Sequence, residues 1–235
     1  MVPVLSNRLK ACCQFVRPGD RVADVGCDHG YLGIYLLLSG VARSVIAADV
    51  NTGPLDSARR NGEKYAVADR MTFCLSDGVS SLPRDFDCLV CAGMGADSMI
   101  SILSAAPWLQ DSRYHFILQC QSKTPALRRY LTDQGYSIRR ETLARDGKFF
   151  YPVMDIVYAP GTVLSEAECY LSPGLLDSGS DLLIPYASRI LDGLRKTAAG
   201  LSSVGGPVYE DKLRLIAELE SMVNLPQGRK EEDCT

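Results

Sequence analysis

Four short stretches set acids and glycines where apolar runs end, and together they suit a polar, nucleotide-like ligand. The first is Arg21-Val22-Ala23-Asp24-Val25-Gly26-Cys27-Asp28-His29-Gly30-Tyr31-Leu32-Gly33. Val22, Ala23 and Val25 read as a buried strand. Gly26 and Gly30 let the backbone pass close to a ligand that a Cβ would obstruct. A helix from Tyr31 to Ser39 turns its free N–H groups back at this turn, where a ligand's polar end can rest. The spacing is not the dinucleotide pattern G-x-G-x-x-G, because Asp28 stands at the second glycine. The second stretch ends at Asp49, about 20 residues past the turn, where an acid accepts hydrogen bonds from both ribose hydroxyls of a nucleoside. The bland alternative is a surface acid at a strand end. The third is Ser76-Asp77-Gly78, where an acid suits the exocyclic amine of an adenine. The fourth is Gly93-Met94-Gly95-Ala96-Asp97.

These stretches need strands to carry them. Arg43–Asp49, Met71–Leu75, Phe86–Ala92 and Tyr114–Gln119 read as strands two to five, with helices at Pro54–Tyr65 and Pro125–Gln134. Tyr136–Leu143 and Tyr151–Tyr158 read as an antiparallel pair around Asp146-Gly147-Lys148, because their connection is too short for a crossover helix. Strands alternating with helices imply one doubly wound α/β sheet. Such sheets bind ligands outside the carboxyl ends of their strands, where all four stretches fall. Ahead of them, Leu5–Val16 reads as an amphipathic helix capped by Ser6. Its Arg8 and Lys10, with Arg17 beyond, form a solvated face or a substrate contact.

The last third has a different texture. Ile184, Ala187, Leu191, Leu194, Ala198 and Leu201 recur at steps of three and four, a helical seam. Tyr209, Leu213, Ile216, Leu219 and Val223 form a second, beyond a Gly205-Gly206 loop. Two helices so joined pack as an α-helical hairpin, either a stabilising cap or an arm that grips substrate. The expected division is 1–160, 161–226 and a flexible tail, 227–235.

A net charge of −3 over 235 residues excludes a protein that coats nucleic acid through bulk charge, but not a local basic face. Between Lys123 and Lys148 there are seven basic residues and three acids. The nine cysteines form no disulfide framework, and Met1 to Gln14 lacks the apolar core of a signal peptide. They imply reduced thiols and a cytoplasmic location. Cys88 and Cys91 fall on opposite faces of a strand, so no metal is expected. No apolar run approaches the roughly 20 residues of a membrane span.

The order of signals resembles a class I S-adenosylmethionine-dependent methyltransferase with a Rossmann-like seven-stranded sheet. More closely, it is similar to the bacterial tRNA (adenine-22-N1)-methyltransferase family. The residues that carry this are Leu5-Ser6-Asn7-Arg8-Leu9, Ala23 to Leu32, Gly53-Pro54, Ala92-Gly93-Met94-Gly95 and Asp146-Gly147-Lys148-Phe149. The helical hairpin fits that family's coiled-coil appendage. The family has Gln-Pro-Asn where this chain has Gln119-Cys120-Gln121, and a further glycine where it has Ala96-Asp97.

The resemblance implies S-adenosylmethionine as cofactor, tRNA as partner and methyl transfer to N1 of an adenine, with a monomeric enzyme expected. Another RNA, a small molecule, or a non-catalytic RNA-binding role are the alternatives. It implies that Asp24, Gly26 and Asp28 hold the methionine part, Asp49 and Val50 the ribose, and Asp77, Gly78, Ala92 and Gly93 the rest of the cofactor. Met94 and Gly95 would hold the target base. From the local excess of basic residues, not from the resemblance, Arg128, Arg129 and Lys148 are expected to contact phosphates. His29 is either an acid/base group or a brace for its turn. Gln119 either bonds the base or is a structural amide. N1 of neutral adenine already carries an in-plane lone pair, so no strong general base is required.

Overall fold

The computed structural model describes residues 2–203 and 205–224; the expected tail, 227–235, lies outside them. In chain order the elements are α1 (Asn7–Cys13), β1 (Arg21–Val25), α2 (Tyr31–Leu38), β2 (Ser44–Asp49), α3 (Thr52–Lys64), β3 (Met71–Leu75), β4 (Cys88–Met94), α4 (Ala96–Ser104), β5 (His115–Cys120), α5 (Thr124–Asp133), β6 (Tyr136–Asp146), β7 (Phe149–Tyr158), α6 (Glu166–Tyr170), α7 (Pro173–Leu176), α8 (Leu183–Leu201) and α9 (Pro207–Asn224).

The strands form one seven-stranded sheet in the order β3-β2-β1-β4-β5-β7-β6. β7 alone runs antiparallel to its neighbours, as a tight hairpin from β6 requires. β1, β4 and β5 are mostly buried, since both faces are covered, and most of their residues are apolar. Alternate residues serve separate cores. Ala23, Leu89, Phe116 and Leu118 pack with α4 and α5. Val22, Val90 and Ile117 pack with α1, α2 and α3. Cys88 and Cys91 accordingly enter opposite cores.

The strands reverse direction of winding between β1 and β4, which opens a crevice at their carboxyl ends. α1 lies over β4–β7 on one side of it. Ser6 is at its N-cap position without a capping bond. Asp146, from the β6–β7 turn, accepts instead from the backbone N–H groups of Asn7 (3.1 Å) and Arg8 (3.4 Å). The N–H groups at a helix start need an acceptor from any source, and a carboxylate there also meets the positive end of the helix dipole.

A third core joins Leu143 to α6–α9. Leu191, Leu194 and Ala198 are buried as the seam predicts, but Ile184 and Leu213 are exposed while Tyr186 and Leu215 are buried. Both seams thus start in a slightly different register from the sequence reading. The short helices α6 and α7, absent from that reading, fill the space between α5 and the long hairpin. Ser165 and Ser172 cap them.

Candidate active site

Asp24 and Asp49 are the buried acids of the crevice, 4% and 8% exposed. They lie on adjacent parallel strands, with Asp24 paired to Ala47 and Val25 to Ala48. Burial, then the charge of Asp49, pushes the Asp24 carboxyl up to about 7. Asp49 accepts from the backbone N–H of Asn51 at 2.9 Å and from that of Asp28 at 3.4 Å. Each oxygen keeps acceptor capacity beyond these bonds.

The turn after β1 is held by Gly26 and Cys27, whose N–H groups both donate to Ala48. Asp28 has a left-handed backbone (φ 49°), and its side chain is exposed beside the His29 ring, 3.5 Å away. Gly30 has φ 72°, and a Cβ there would sit 2.9 Å from Ala58 on α3. Its requirement is therefore for helix approach rather than for a ligand, a correction to the sequence reading. No side chain caps α2, so its first N–H groups remain free for a ligand. An unoffset carboxylate, Asp24, beside free N–H donors suits a zwitterionic amino-acid end.

His29 is half exposed. Its backbone carbonyl, not its ring, is tied to α3 by Asn61 at 3.0 Å. Val50 is 61% exposed at the rim, and Asp77 is exposed at the end of β3. Gly78 abuts Ile102 of α4.

β4 is bulged at Gly93, where its register with β5 shifts between Ala92 and Met94. Gly93 has φ 85°, and a Cβ would reach to 3.0 Å from the Arg8 guanidinium. The end of the Met94 side chain fills the place a Cβ on Gly26 would take, so Met94 bridges the first and fourth stretches. Gly95 lies against Ser122. The two positions that depart from the resembled family face this same loop: Asp97 pairs with Lys123 at 2.6 Å, and Gln121 donates its backbone N–H to Met94.

Gln119 is fully buried at the end of β5. Arg8 donates to its Oε1 at 3.0 Å, which fixes the amide orientation and leaves its Nε2 without a partner. A buried donor left unmade is costly, and a ligand acceptor in the crevice would satisfy it. Arg8 is the site residue that sequence reasoning left undecided. The pair spans 111 positions in the chain, and no local pattern announces it.

A family model described as a methyltransferase domain matches residues 5–154, from just ahead of α1 to within β7. The chain belongs to the methyltransferase family. This methyltransferase is 30% identical over 148 residues to the Bacillus subtilis tRNA (adenine(22)-N(1))-methyltransferase, covering 62% of each chain. It thus spans about three-fifths of that relative's length. It is 31% identical over 176 residues to a Mycoplasma pneumoniae putative tRNA methyltransferase, covering 72% of this chain and 79% of that one. A solved Streptococcus pneumoniae structure, a putative tRNA (m1A22) methyltransferase in complex with S-adenosyl-L-methionine, superposes with a TM-score of 0.82. The identity is 26%, over 92% of this chain and 99% of that one.

The methyltransferase does not use Arg128 as a phosphate contact. Arg128 is fully buried. It pairs with Glu141 and donates to the backbone carbonyls of Cys169 (2.7 Å) and Tyr170 (2.8 Å). Ser172 closes the network by donating to Glu141. Arg128 therefore fastens the C-terminal helices to the sheet. Its place on the buried stripe of α5, with Thr124, Leu127, Leu131 and Thr132, was the available signal. Arg129 and Lys148 are exposed.

At the opposite end of the sheet, Asp20, Cys88 and His115 each bring one potential metal-ligand atom within 4.8 Å of the others. His115 Nε2 already bonds Asp20 at 2.8 Å. Burial keeps the Cys88 thiol far above its ordinary value. That group reads as a structural cluster held by the His115–Asp20 bond, with His115 Nδ1 3.5 Å from Asp155. Among the described residues, no helix is long and apolar enough to cross a membrane.

Proposed function

We propose that the protein transfers a methyl group from S-adenosylmethionine to N1 of adenine 22 in tRNA. The observation that carries this reading is the buried carboxyl of Asp24, which no basic side chain offsets among the described residues and which burial pushes up to about 7. It stands beside a helix start with free N–H groups. A ligand with an ammonium and a carboxylate on one carbon fits both. The names of the relatives and of the cofactor-bound neighbour support the choice of ligand and substrate.

In this reading Asp24 and the Gly26–Asp28 turn receive the amino-acid end. Asp49, with spare lone pairs on both oxygens, accepts from the ribose hydroxyls. Asp77 and the Gly78 backbone take the cofactor's adenine, flanked by Val50, Ala92 and Gly93. The bound cofactor supplies a methyl carbon activated by its sulfonium sulfur. The chain's own task is to align an acceptor. Arg8 fixes the Gln119 amide, whose Nε2 has no partner among the described residues; in this reading that group donates to a purine ring nitrogen other than N1. The N1 lone pair stays free to attack. Alignment of this kind supplies about 7–11 kcal/mol in favourable cases. N1 lies on the pairing edge, so the adenine must leave its stack to react. The helices α6–α9 form an appended unit, which Arg128 clasps at Cys169 and Tyr170.

The test is to incubate the protein with labelled S-adenosylmethionine and unmodified tRNA and to map the product. N1-methyladenosine at position 22 is the expected result. Label at another position, or none, refutes it.

A further inference from the structure

The β6–β7 turn carries an exposed aromatic ring that the catalytic reading does not use. Phe149 is 45% exposed. Lys148 Nζ lies 5.4 Å from the ring centroid and the Arg189 guanidinium carbon 5.5 Å from it. Two arginines brace the turn: Arg145 donates to the carbonyl of Gly147 at 2.9 Å, and Arg189 on α8 donates to that of Lys148 at 2.6 Å. Arg145, Lys148 and Arg189 are all exposed. None has a carboxylate within 4.0 Å among the described residues. The nearby acid, Asp146, is taken up by the start of α1.

One exposed ring costs little by itself, but this one is braced, open to solvent and flanked by Lys148 and Arg189, cations with no carboxylate partner among the described residues. A nucleobase on the ring with phosphates on the cations satisfies both. The ring also has a fixed relation to the crevice. Phe149, Tyr151 and Val153 share one face of β7, and Val153 pairs with Gln119. The Phe149 and Tyr151 rings are 6.3 Å apart. This face of the strand therefore runs about 14 Å from Phe149, at the joint with α8, down to Val153 beside Gln119, with its two rings at the α8 end.

We propose that Phe149 is a stacking platform for an unpaired base of the RNA substrate flanking the target, with Arg145, Lys148 and Arg189 holding its phosphates. The proposal rests on the RNA substrate named above. It places the joint between sheet and helical hairpin, rather than either alone, as the dock.

The test compares the full-length wild-type chain with Phe149→Ala, Phe149→Leu and Phe149→Trp. Binding of an unmodified tRNA transcript is read by fluorescence anisotropy, KM and kcat by methyl transfer, and cofactor affinity by calorimetry. Phe149→Ala and Phe149→Leu are expected to raise Kd and KM for tRNA about five- to 150-fold. The kcat and the cofactor affinity should not change, which excludes loss of fold. Phe149→Trp should retain binding, and its added emission should be quenched when tRNA binds; the chain has one other tryptophan. Lys148→Gln should lower the slope of log affinity against log salt by about one. If Phe149→Leu or Phe149→Ala binds tRNA like wild type, the platform is overturned while the methylation reading stands. If wild type binds no tRNA, the reading beneath the platform falls with it.

Discussion

At the amino ends of the strands, Asp20, Asp87 and Asp155 each meet a basic group; at the carboxyl ends, Asp24 and Asp49 do not. Asp87 is paired with Arg21 at 2.9 Å, and hydrogen bonding from Arg21 holds its carboxyl below the usual range. Asp155 is bound by Arg140 at 2.7 Å and faces His115. Burial opposes ionisation there, but His115 and Arg140 outweigh it and keep the carboxyl low. His115, 1% exposed, lies between Asp20 and Asp155. Burial works against its charge, yet the two carboxylates raise its pKa above 6.5. Basic partners thus hold Asp87 and Asp155 low at one end of the sheet, while burial pushes Asp24 up to about 7 at the other. Matched charges hold strands together. Unmatched ones are kept at a cost in stability for a partner that is not part of the chain.

The largest expected effect is at the matched end. His115→Ala leaves two buried carboxylates facing each other and should destabilise the fold by about 3–5 kcal/mol, read by denaturant unfolding. A loss under 1 kcal/mol would show that the cluster is hydrated and that the contrast between the two ends is false.

Asp24→Asn should do the reverse. It removes an unmatched charge, so the melting temperature of the ligand-free protein should rise at pH 8. S-Adenosylmethionine affinity should fall by about 2 kcal/mol or more, because a charge-assisted bond is lost. A lowered melting temperature would mean that Asp24 is satisfied within the fold.

The pH dependence separates the ends further. Asp24 has a folded pKa near 7 against 3.8, so the native state holds the extra proton. Stability from this group is present below 3.8 and is lost as pH rises towards 7, by a few kcal/mol at most. Saturating cofactor or Asp24→Asn should flatten that decline. His115 contributes stability fully below 6.5 and loses it as pH rises through its higher folded value. Asp155 loses its contribution only as pH falls below 3.8. Melting curves from pH 3 to 9 on the wild type and Asp24→Asn test all three.

The smallest expected effect is at Arg8. Arg8→Ala frees the Gln119 amide to rotate and should raise KM for tRNA about tenfold or less, with cofactor affinity unchanged. A matching loss of cofactor affinity would place Arg8 in the cofactor site instead.

Much of this was legible along the chain. The strand ends at Val25 and Asp49 follow from apolar runs bounded by glycine and acid, because a strand covered on both faces needs continuous apolar sequence. The α8 seam follows from helical spacing, apart from its first turn, where Tyr186 rather than Ile184 is buried. Nothing in the run Tyr114–Gln119 sets His115 apart from its neighbours. A titratable group in a central strand requires a partner, but its partners are 95 positions before it and 40 after it, so the sequence could not name them. Arg128 was misread because a count of charge by segment ignores which face of α5 each charge occupies.

The sequence by itself determined the alternation of strands and helices, and set Asp24, Asp49, Asp77 and Gly93 at carboxyl ends, since these depend on neighbours a few residues apart. It also supplied the acid–glycine turn between β1 and α2. Only the tertiary structure decided which acids are offset by a basic partner and which are not. Asp146 caps a helix 139 positions away, Arg8 sets Gln119, and Arg128 clasps the hairpin. Each is a pairing across distant segments, where burial and geometry, rather than local propensity, choose the partner.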